Sequence, residues 1–162
     1  MDTKNMGYIY EEIANKLNEI IPDEWTNIYL YVEVLDDSRE VYFYFDSINS
    51  NDIVYGHDIP ITYNVDKKIY RQLLKELMKF IVDLHVEYKE NNNTIWTNLT
   101  FLLDSSGKFN INFNYDDILN SSFSSEERHI IWKYQVLDIQ PTNENHKGII
   151  SRYLNSKNKD DM

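Results

Sequence analysis

The chain has 162 residues, of which 42% are hydrophobic, and carries a formal net charge of −11. This length suits one compact domain with a real core, and the apolar content excludes a disordered acidic chain. The lack of cysteine excludes disulfides, thiol catalysis and thiolate metal sites.

The acidic charge bounds the kinds of partner that the protein can bind. Nucleic acid backbones and anionic membranes attract basic patches, so we expect neither direct nucleic acid binding nor membrane binding. A net negative charge favours either simple solubility or a basic protein partner. No run approaches the roughly 18 apolar residues of a membrane span. The first five residues lack the pattern of a signal peptide, so we expect a cytoplasmic protein.

The first third of the chain predicts a helix and a β-hairpin. Apolar residues recur at helical spacing over residues 6–20, and Pro22 ends this helix. Residues 26–35 alternate between apolar and polar side chains, which is typical of a strand with one buried face. The turn at Asp36 leads to a second alternating run, from Val41 to Asp46.

The middle of the chain predicts an irregular connection and a long helix. Residues 47–65 are mixed in polarity and are interrupted by glycine and proline. Asp66 is a suitable cap for a helix that runs to about Glu90. One stripe of this helix is apolar and is expected to face the core: Ile69, Leu73, Leu77, Phe80, Leu84 and Tyr88.

The last third predicts a second hairpin and two helices. Residues 95–103 and 109–115 alternate on either side of a turn that contains Gly107. Ser124 and Glu127 have the spacing of a capping box, which opens the next helix. A last short helix is expected over residues 144–155.

This order of elements predicts an α+β fold in one domain over residues 1–155, followed by a frayed charged tail over residues 156–162. The sheet is expected to be a four-stranded antiparallel sheet of two hairpins, with helices packed on its apolar face. Strand alternation places the following side chains in the core: Leu30, Val32, Phe43, Leu99, Phe101, Ile111 and Phe113.

The other face of the predicted sheet, which we call the predicted polar face, combines aromatic, amide and acidic side chains without lysine or arginine. Its members are Tyr29, Tyr31, Glu33, Tyr42, Tyr44, Asp46, Trp96, Asn98, Thr100, Asn110, Asn112 and Asn114. Tyrosine and tryptophan are frequent binding hot spots, and carboxylates select a basic partner. Cross-strand pairing favours the same tyrosines, and C-terminal helices covering this face would bury them. Both interpretations stay open.

No pattern of catalytic or metal-binding residues stands out. Asp116 and Asp117 follow the last strand and resemble a metal-binding pair, but adjacent aspartates also suit a turn. The alternatives to a binding protein are a metal-dependent enzyme that uses these two carboxylates with His57, and a structural interaction module. We expect no enzymatic activity, no cofactor and no metal.

Several short blocks together resemble the YezG-like immunity proteins. The blocks are Tyr10, Ile13-Ala14, Ile20-Ile21-Pro22, Trp25, Tyr29-Leu30-Tyr31, Glu33-Val34, residues 41–44, Asp58-Ile59-Pro60, residues 96–117, Glu127-Arg128, residues 131–134 and Pro141. Their order and spacing, rather than any single block, carry the resemblance, which covers about residues 6–141. The segment after Asn143 has no counterpart that we can match.

The resemblance implies a function that the composition alone does not. Members of this family are antitoxins of Gram-positive bacteria, which neutralise nuclease toxins exported by the type VII secretion route. It implies that the partner is the C-terminal nuclease domain of a cognate toxin, and that inhibition is stoichiometric and non-catalytic. We expect the contact to use the predicted polar face, in particular Tyr29, Tyr31, Glu33, Tyr42, Tyr44, Asp46, Trp96, Asn110, Asn112 and Asn114, together with Asp116 and Asp117.

Overall fold

A computed structural model describes residues 3–160, apart from the side chain of residue 160. The chain forms two compact units, residues 3–116 and residues 117–160. The first unit contains α1 (Lys4–Ile20), β1 (Trp25–Val34), β2 (Arg39–Ser47), β3 (Val54–Tyr55), a 3₁₀ turn (Gly56–Asp58), α2 (Ile59–Thr62), α3 (Lys67–Asn91), β4 (Asn98–Asp104) and β5 (Phe109–Asn114). The second contains α4 (Ser125–Val136) and α5 (Glu144–Asp160).

The helix boundaries follow from side chains that cap backbone groups. Thr3 precedes α1 and its hydroxyl accepts a hydrogen bond from the Met6 amide at 3.0 Å. Asp66 caps α3, as predicted, and accepts bonds from the amides of residues 68 and 69. These caps satisfy amides that have no partner within the helix.

The sheet has five antiparallel strands in the order β3-β2-β1-β4-β5, so the prediction of four strands is wrong. The additional strand is β3, which lies in the segment predicted to be irregular and pairs Tyr55 with Tyr44. Two residues are too few to produce an alternating pattern, which explains why the sequence does not reveal this strand. The predicted α+β class and the two hairpins are confirmed.

The core of the first unit lies between one face of the sheet and the helices α1 and α3. The predicted core residues Leu30, Val32, Phe43, Leu99 and Phe101 are buried. The other two predicted core residues lie on β5 and are partly buried, although they pack against the same core. They are less buried because β5 is an edge strand.

The buried stripe of α3 differs in part from the predicted one. Leu77, Leu84 and Tyr88 are buried as predicted, but Ile69 is 59% exposed. Tyr70 and Ile81 are also buried on this helix. Successive residues of a helix point about 100° apart, so the step from residue 69 to residue 70 turns the side chain from solvent towards the core.

The second unit is a pair of helices with a small apolar cluster. Ile131 of α4 packs with Ile149 and Ile150 of α5. The predicted capping box is confirmed: Ser124 accepts from the Glu127 amide, and the Glu127 carboxylate accepts from the Ser124 amide. The same carboxylate accepts a hydrogen bond from Arg152 of α5 at 2.9 Å.

The domain assignment over residues 1–155 stays a prediction. Helix α5 continues through residues 156–160, which belong to the predicted frayed tail. The last two residues of that tail lie outside the described residues. Within residues 3–160, no helix combines the length and the apolar character that crossing a membrane requires.

A hydrogen-bonded carboxylate joins three parts of the first unit. Asp23 lies between α1 and β1. Its carboxylate accepts hydrogen bonds from the Ser47 hydroxyl at 2.6 Å, the Tyr63 hydroxyl at 2.7 Å and the side-chain amide of Asn49 at 2.8 Å. These bonds, that of Ser47 first, lower the pKa of Asp23 from 3.8 to about 2. The charged carboxylate therefore holds the end of β2 and the segment after α2 together.

Truncation of the central core residue should be costly. Phe101→Ala removes a side chain that is 1% exposed and stacks on Phe109. We expect a loss of about 3–5 kcal/mol in the free energy of unfolding, measured by urea denaturation. Phe109→Ala is the matched control, because this ring is 48% exposed and should cost clearly less. Equal costs would contradict the proposed core.

The Asp23 carboxylate should make stability depend on pH. Its pKa is lower in the folded state, so its stabilisation is complete above pH 3.8 and disappears as the pH falls towards about 2. The difference in unfolding free energy between wild type and Asp23→Asn should therefore shrink over this interval. Urea titrations at several pH values measure it, and Asp52→Asn removes the same charge from an exposed loop as a control. A difference that does not change with pH would refute the role of the charge.

Candidate partner-binding surface

The candidate surface lies on the face of the sheet opposite α1 and α3, which we call the far face. The register brings its tyrosines together: Tyr29 lies beside Tyr44, and Tyr31 lies beside Tyr42. The next strand contributes Tyr55, which pairs with Tyr44. Because alternate side chains of neighbouring strands share a face, these five side chains form an aromatic group that spans three strands.

Most of this aromatic group is buried. Tyr31, Tyr42 and Tyr44 are between 2% and 6% exposed. Tyr31 stacks on Tyr42 with ring centroids 4.9 Å apart, and Tyr44 stacks on Tyr55 at the same distance. Burial raises the pKa of Tyr42 and of Tyr44, so both stay neutral over the physiological range. The main role of these three rings is therefore to stabilise the far face by packing.

Glu33 is the one acidic member of the predicted polar face that is buried. Its side chain accepts a hydrogen bond from the Tyr31 hydroxyl at 2.6 Å, and the residue is 3% exposed. A buried carboxylate is costly unless hydrogen bonds compensate it. Glu33 therefore holds the tyrosine group in place rather than presenting a charge to solvent.

Trp96 does not lie on the far face, and this part of the prediction is wrong. It precedes the first residue of β4, its side chain is fully buried in the core, and it packs against His85 of α3 and Phe113 of β5. Its indole Nε1 has no hydrogen-bond partner among the described residues. Trp96 lies two residues before β4, where the alternation of the strand no longer determines the face of a side chain.

Tyr29 and Asp46 form an accessible polar pair at one end of the far face. The Tyr29 hydroxyl donates to the Asp46 carboxylate at 2.7 Å, and the Asn27 amide donates to the same oxygen at 3.3 Å. All three residues are partly exposed. Burial, with a further contribution from Asp46, raises the pKa of Tyr29 to about 12. Tyr29 is therefore a neutral donor that holds a solvent-accessible carboxylate in a fixed position.

The asparagines of β5 continue the accessible part of the far face. Asn110, Asn112 and Asn114 are exposed, and Asn114 donates to Asn98 of β4 at 3.3 Å. An open groove of about 310 Å³ lies between this row and the Tyr29 pair. Its lining includes both polar and apolar side chains: Asn27, Ile28, Tyr29, Leu102, Leu103, Asp104, Lys108, Phe109 and Asn110.

The two aspartates after β5 belong to different units. Asp116 is exposed, and its backbone carbonyl accepts from the Thr97 hydroxyl at 2.8 Å. Asp117 is also exposed, and its carboxylate accepts two hydrogen bonds from Asn120, one from the amide nitrogen and one from the side chain at 2.7 Å. These contacts are typical of turn chemistry.

His57 is engaged in the interior of the first unit. One ring nitrogen is 2.6 Å from the Tyr70 hydroxyl and the other is 2.9 Å from the backbone carbonyl of Val41. Within residues 3–160, no cluster of three or more histidine, aspartate or glutamate side chains is arranged to hold a metal ion. Both hydrogen bonds of His57 support a structural role.

Sequence reasoning missed three contributors to this surface. Asn27 and Tyr55 share the far face but lie at or beyond the ends of the predicted strands. Lys108 lines the groove from the turn between β4 and β5 and adds a positive charge. Asn27 lies within the predicted strand and two residues before Tyr29, so its place on this face was open to prediction, whereas the other two depend on pairings that a single sequence does not reveal.

Comparison with known proteins identifies the relatives of this chain. A family model described as "Immunity protein YezG-like" matches residues 6–151. Proteins named Immunity protein YezG are 49% identical in Bacillus subtilis, over 92% of this chain and 99% of the relative, and 44% identical in Bacillus spizizenii, over 95% and 96%. A Staphylococcus aureus protein named Type VII secretion system protein EsaG is 30% identical over 87% of this chain and 86% of its own length.

The family match extends into both compact units, and it continues through residues 144–151, beyond the part of the chain that the resemblance in the sequence reached. The two YezG relatives align over nearly their whole lengths. The chain therefore belongs to the YezG-like immunity protein family.

Proposed function

We propose that this protein is an antitoxin that neutralises a cognate toxin by binding it. The observation that carries the proposal is membership of an immunity protein family over residues 6–151. A relative named as a type VII secretion system protein supports a toxin that uses that route. The antitoxin acts in the cytoplasm, where a toxin would otherwise damage the producing cell.

The target that the charge best supports is the C-terminal nuclease domain of the toxin. Nuclease domains are generally basic at the surface that holds the phosphate backbone. A net charge of −11 complements such a surface and accelerates encounter by electrostatic steering. Inhibition would then need one antitoxin per toxin and no catalytic step.

The proposed contact is the accessible part of the far face. The Tyr29–Asp46 pair supplies an aromatic ring beside a fixed carboxylate, and the groove next to it can admit a basic side chain. The exposed row of Asn110, Asn112 and Asn114 offers donors and acceptors along the neighbouring strand. Asp116 adds a carboxylate at the end of this row, and Asp117 is a further proposed contact in the second unit.

The buried members of the predicted polar face support this contact indirectly. Tyr31 stacks on Tyr42, and Tyr44, which stacks on Tyr55, lies beside Tyr29 in the register of β1 and β2. Glu33 holds Tyr31 through its hydrogen bond. Replacing any of these four buried residues should lower stability before it changes the affinity for the toxin.

The experiment that tests this function is co-expression with the C-terminal domain of the toxin encoded beside it. Pull-down should recover a complex of fixed stoichiometry, and titration of the antitoxin should abolish DNA degradation at a one-to-one ratio. Continued degradation at excess antitoxin, or sub-stoichiometric inhibition, would contradict binding as the mechanism.

Substitutions at the accessible pair should separate the two kinetic phases of binding. Tyr29→Ala should accelerate dissociation of the nuclease domain, because buried aromatic anchors dominate affinity. Asp46→Asn should mainly slow association, because it removes a steering charge but keeps an acceptor for the Tyr29 hydroxyl. Surface plasmon resonance on purified proteins measures both rates.

The matched control for the charge is Asp37→Asn, which removes one exposed carboxylate from the turn between β1 and β2. Asp46 lies near the other end of the same two strands. An equal decrease in association rate for both variants would show that overall charge, rather than the Tyr29–Asp46 pair, guides the encounter. Thermal melts confirm that all variants fold.

Salt should affect association more than dissociation. The Debye length falls to about 3 Å at about 1 M salt, so long-range attraction between the acidic antitoxin and a basic domain disappears. We expect the association rate to fall steeply with ionic strength while the dissociation rate changes little. An association rate that does not respond to salt would eliminate electrostatic steering.

A further inference from the structure

The outer edge of β5 is an unpaired sheet edge. The strand order ends at β5, and no other strand within residues 3–160 pairs with it. The Asp104 amide donates to the Lys108 carbonyl, which fixes the alternation of hydrogen-bonded pairs along β4 and β5. It follows that the backbone groups of Phe109, Ile111 and Phe113 point away from β4.

This edge lacks the features that usually prevent strand pairing. Charged side chains, proline and bulges protect exposed edges in most sheets. The sequence of Phe109–Asn114 has no charged residue and no proline, and its register with β4 is continuous. The nearest charged residues in the sequence are Lys108 before the strand and Asp116 and Asp117 beyond its end.

The strand is complementary to itself in an antiparallel arrangement. A two-fold axis at Ile111 would pair Ile111 with its own copy and Phe109 with Phe113 of the other copy. All three of these residues have outward backbone groups, so this register forms up to about six hydrogen bonds, the most that the edge allows. On the far face, Asn110 would lie opposite Asn112, and amide side chains can serve each other as donor and acceptor.

The flanking charges are also complementary in this register. This register brings Lys108, which precedes β5 in one copy, near the end of β5 in the other copy, two residues before Asp116, and the symmetry repeats this approach. Opposite charges at such cross-strand positions are favourable. We propose that β5 is a self-association surface, through which a second copy of this chain extends the sheet across a two-fold axis.

Salt should affect this self-association in the opposite direction from toxin binding. Two copies that each carry a charge of −11 repel each other, and salt screens the repulsion. The dimer should therefore strengthen between low and moderate ionic strength, whereas steered association with a basic toxin weakens. A small interface of this kind is typical of a weak, concentration-dependent dimer.

Sedimentation velocity of the full chain at rising protein concentration tests the proposal. We expect a monomer–dimer equilibrium for wild type and for Ile111→Val, and a monomer for Ile111→Pro. Proline at this position removes an amide that points to the free edge and leaves the bonds to β4 intact. Circular dichroism and thermal melts establish that both variants fold. A monomeric wild type at every concentration would overturn the proposal.

A charge exchange at exposed positions tests the register without altering the core. Lys108→Glu should weaken the dimer at least several-fold, because the new glutamate of one copy then lies near Asp116 of the other copy and the two carboxylates repel each other. The double variant Lys108→Glu with Asp116→Lys should restore it, because the pair is re-formed with its signs exchanged. A dimer that persists unchanged in Lys108→Glu or in folded Ile111→Pro would refute the β5 interface.

Discussion

The structure depends on β1, the central strand of the sheet, which is hydrogen-bonded on both sides and packed on both faces. It pairs with β2 along one edge and with β4 along the other. Its apolar side chains face the core formed with α1 and α3, and Tyr31 and Glu33 are buried on the far face. Because this strand is fixed on every side, the positions of its neighbours and of the candidate surface follow from its register.

The sequence predicted those parts of the fold that rest on local periodicity. Alternation identified the four long strands, and the capping residues Asp66 and Ser124 identified two helix starts. It missed β3, which exists because of tertiary contacts: Gly56 follows it, and a side chain there would overlap the ring of Phe43. Trp96 was misassigned because alternation is informative only within the strand itself.

The candidate surface was predictable by residue type but not by exposure. Period two assigns a side chain to a face, but it does not state whether that face is covered. Tyr31, Tyr42 and Tyr44 are buried, whereas Tyr29 and the β5 asparagines remain accessible. The β5 asparagines lie on an edge strand, whereas Tyr31, Tyr42 and Tyr44 belong to strands that have a neighbouring strand on both sides.

The buried part of the far face forms a stable scaffold, and the accessible part presents side chains that can be exchanged without unfolding it. The Tyr29 hydroxyl and the Asn27 side-chain amide both donate to the Asp46 carboxylate, so ordering Tyr29 and Asp46 on binding costs little conformational entropy. The side chains of Asn110, Asn112 and Asn114 are exposed, so they can change without loss of the core. A protein that must recognise one partner would gain specificity at such positions, because discrimination between partners depends on accessible polar groups that only the correct partner satisfies.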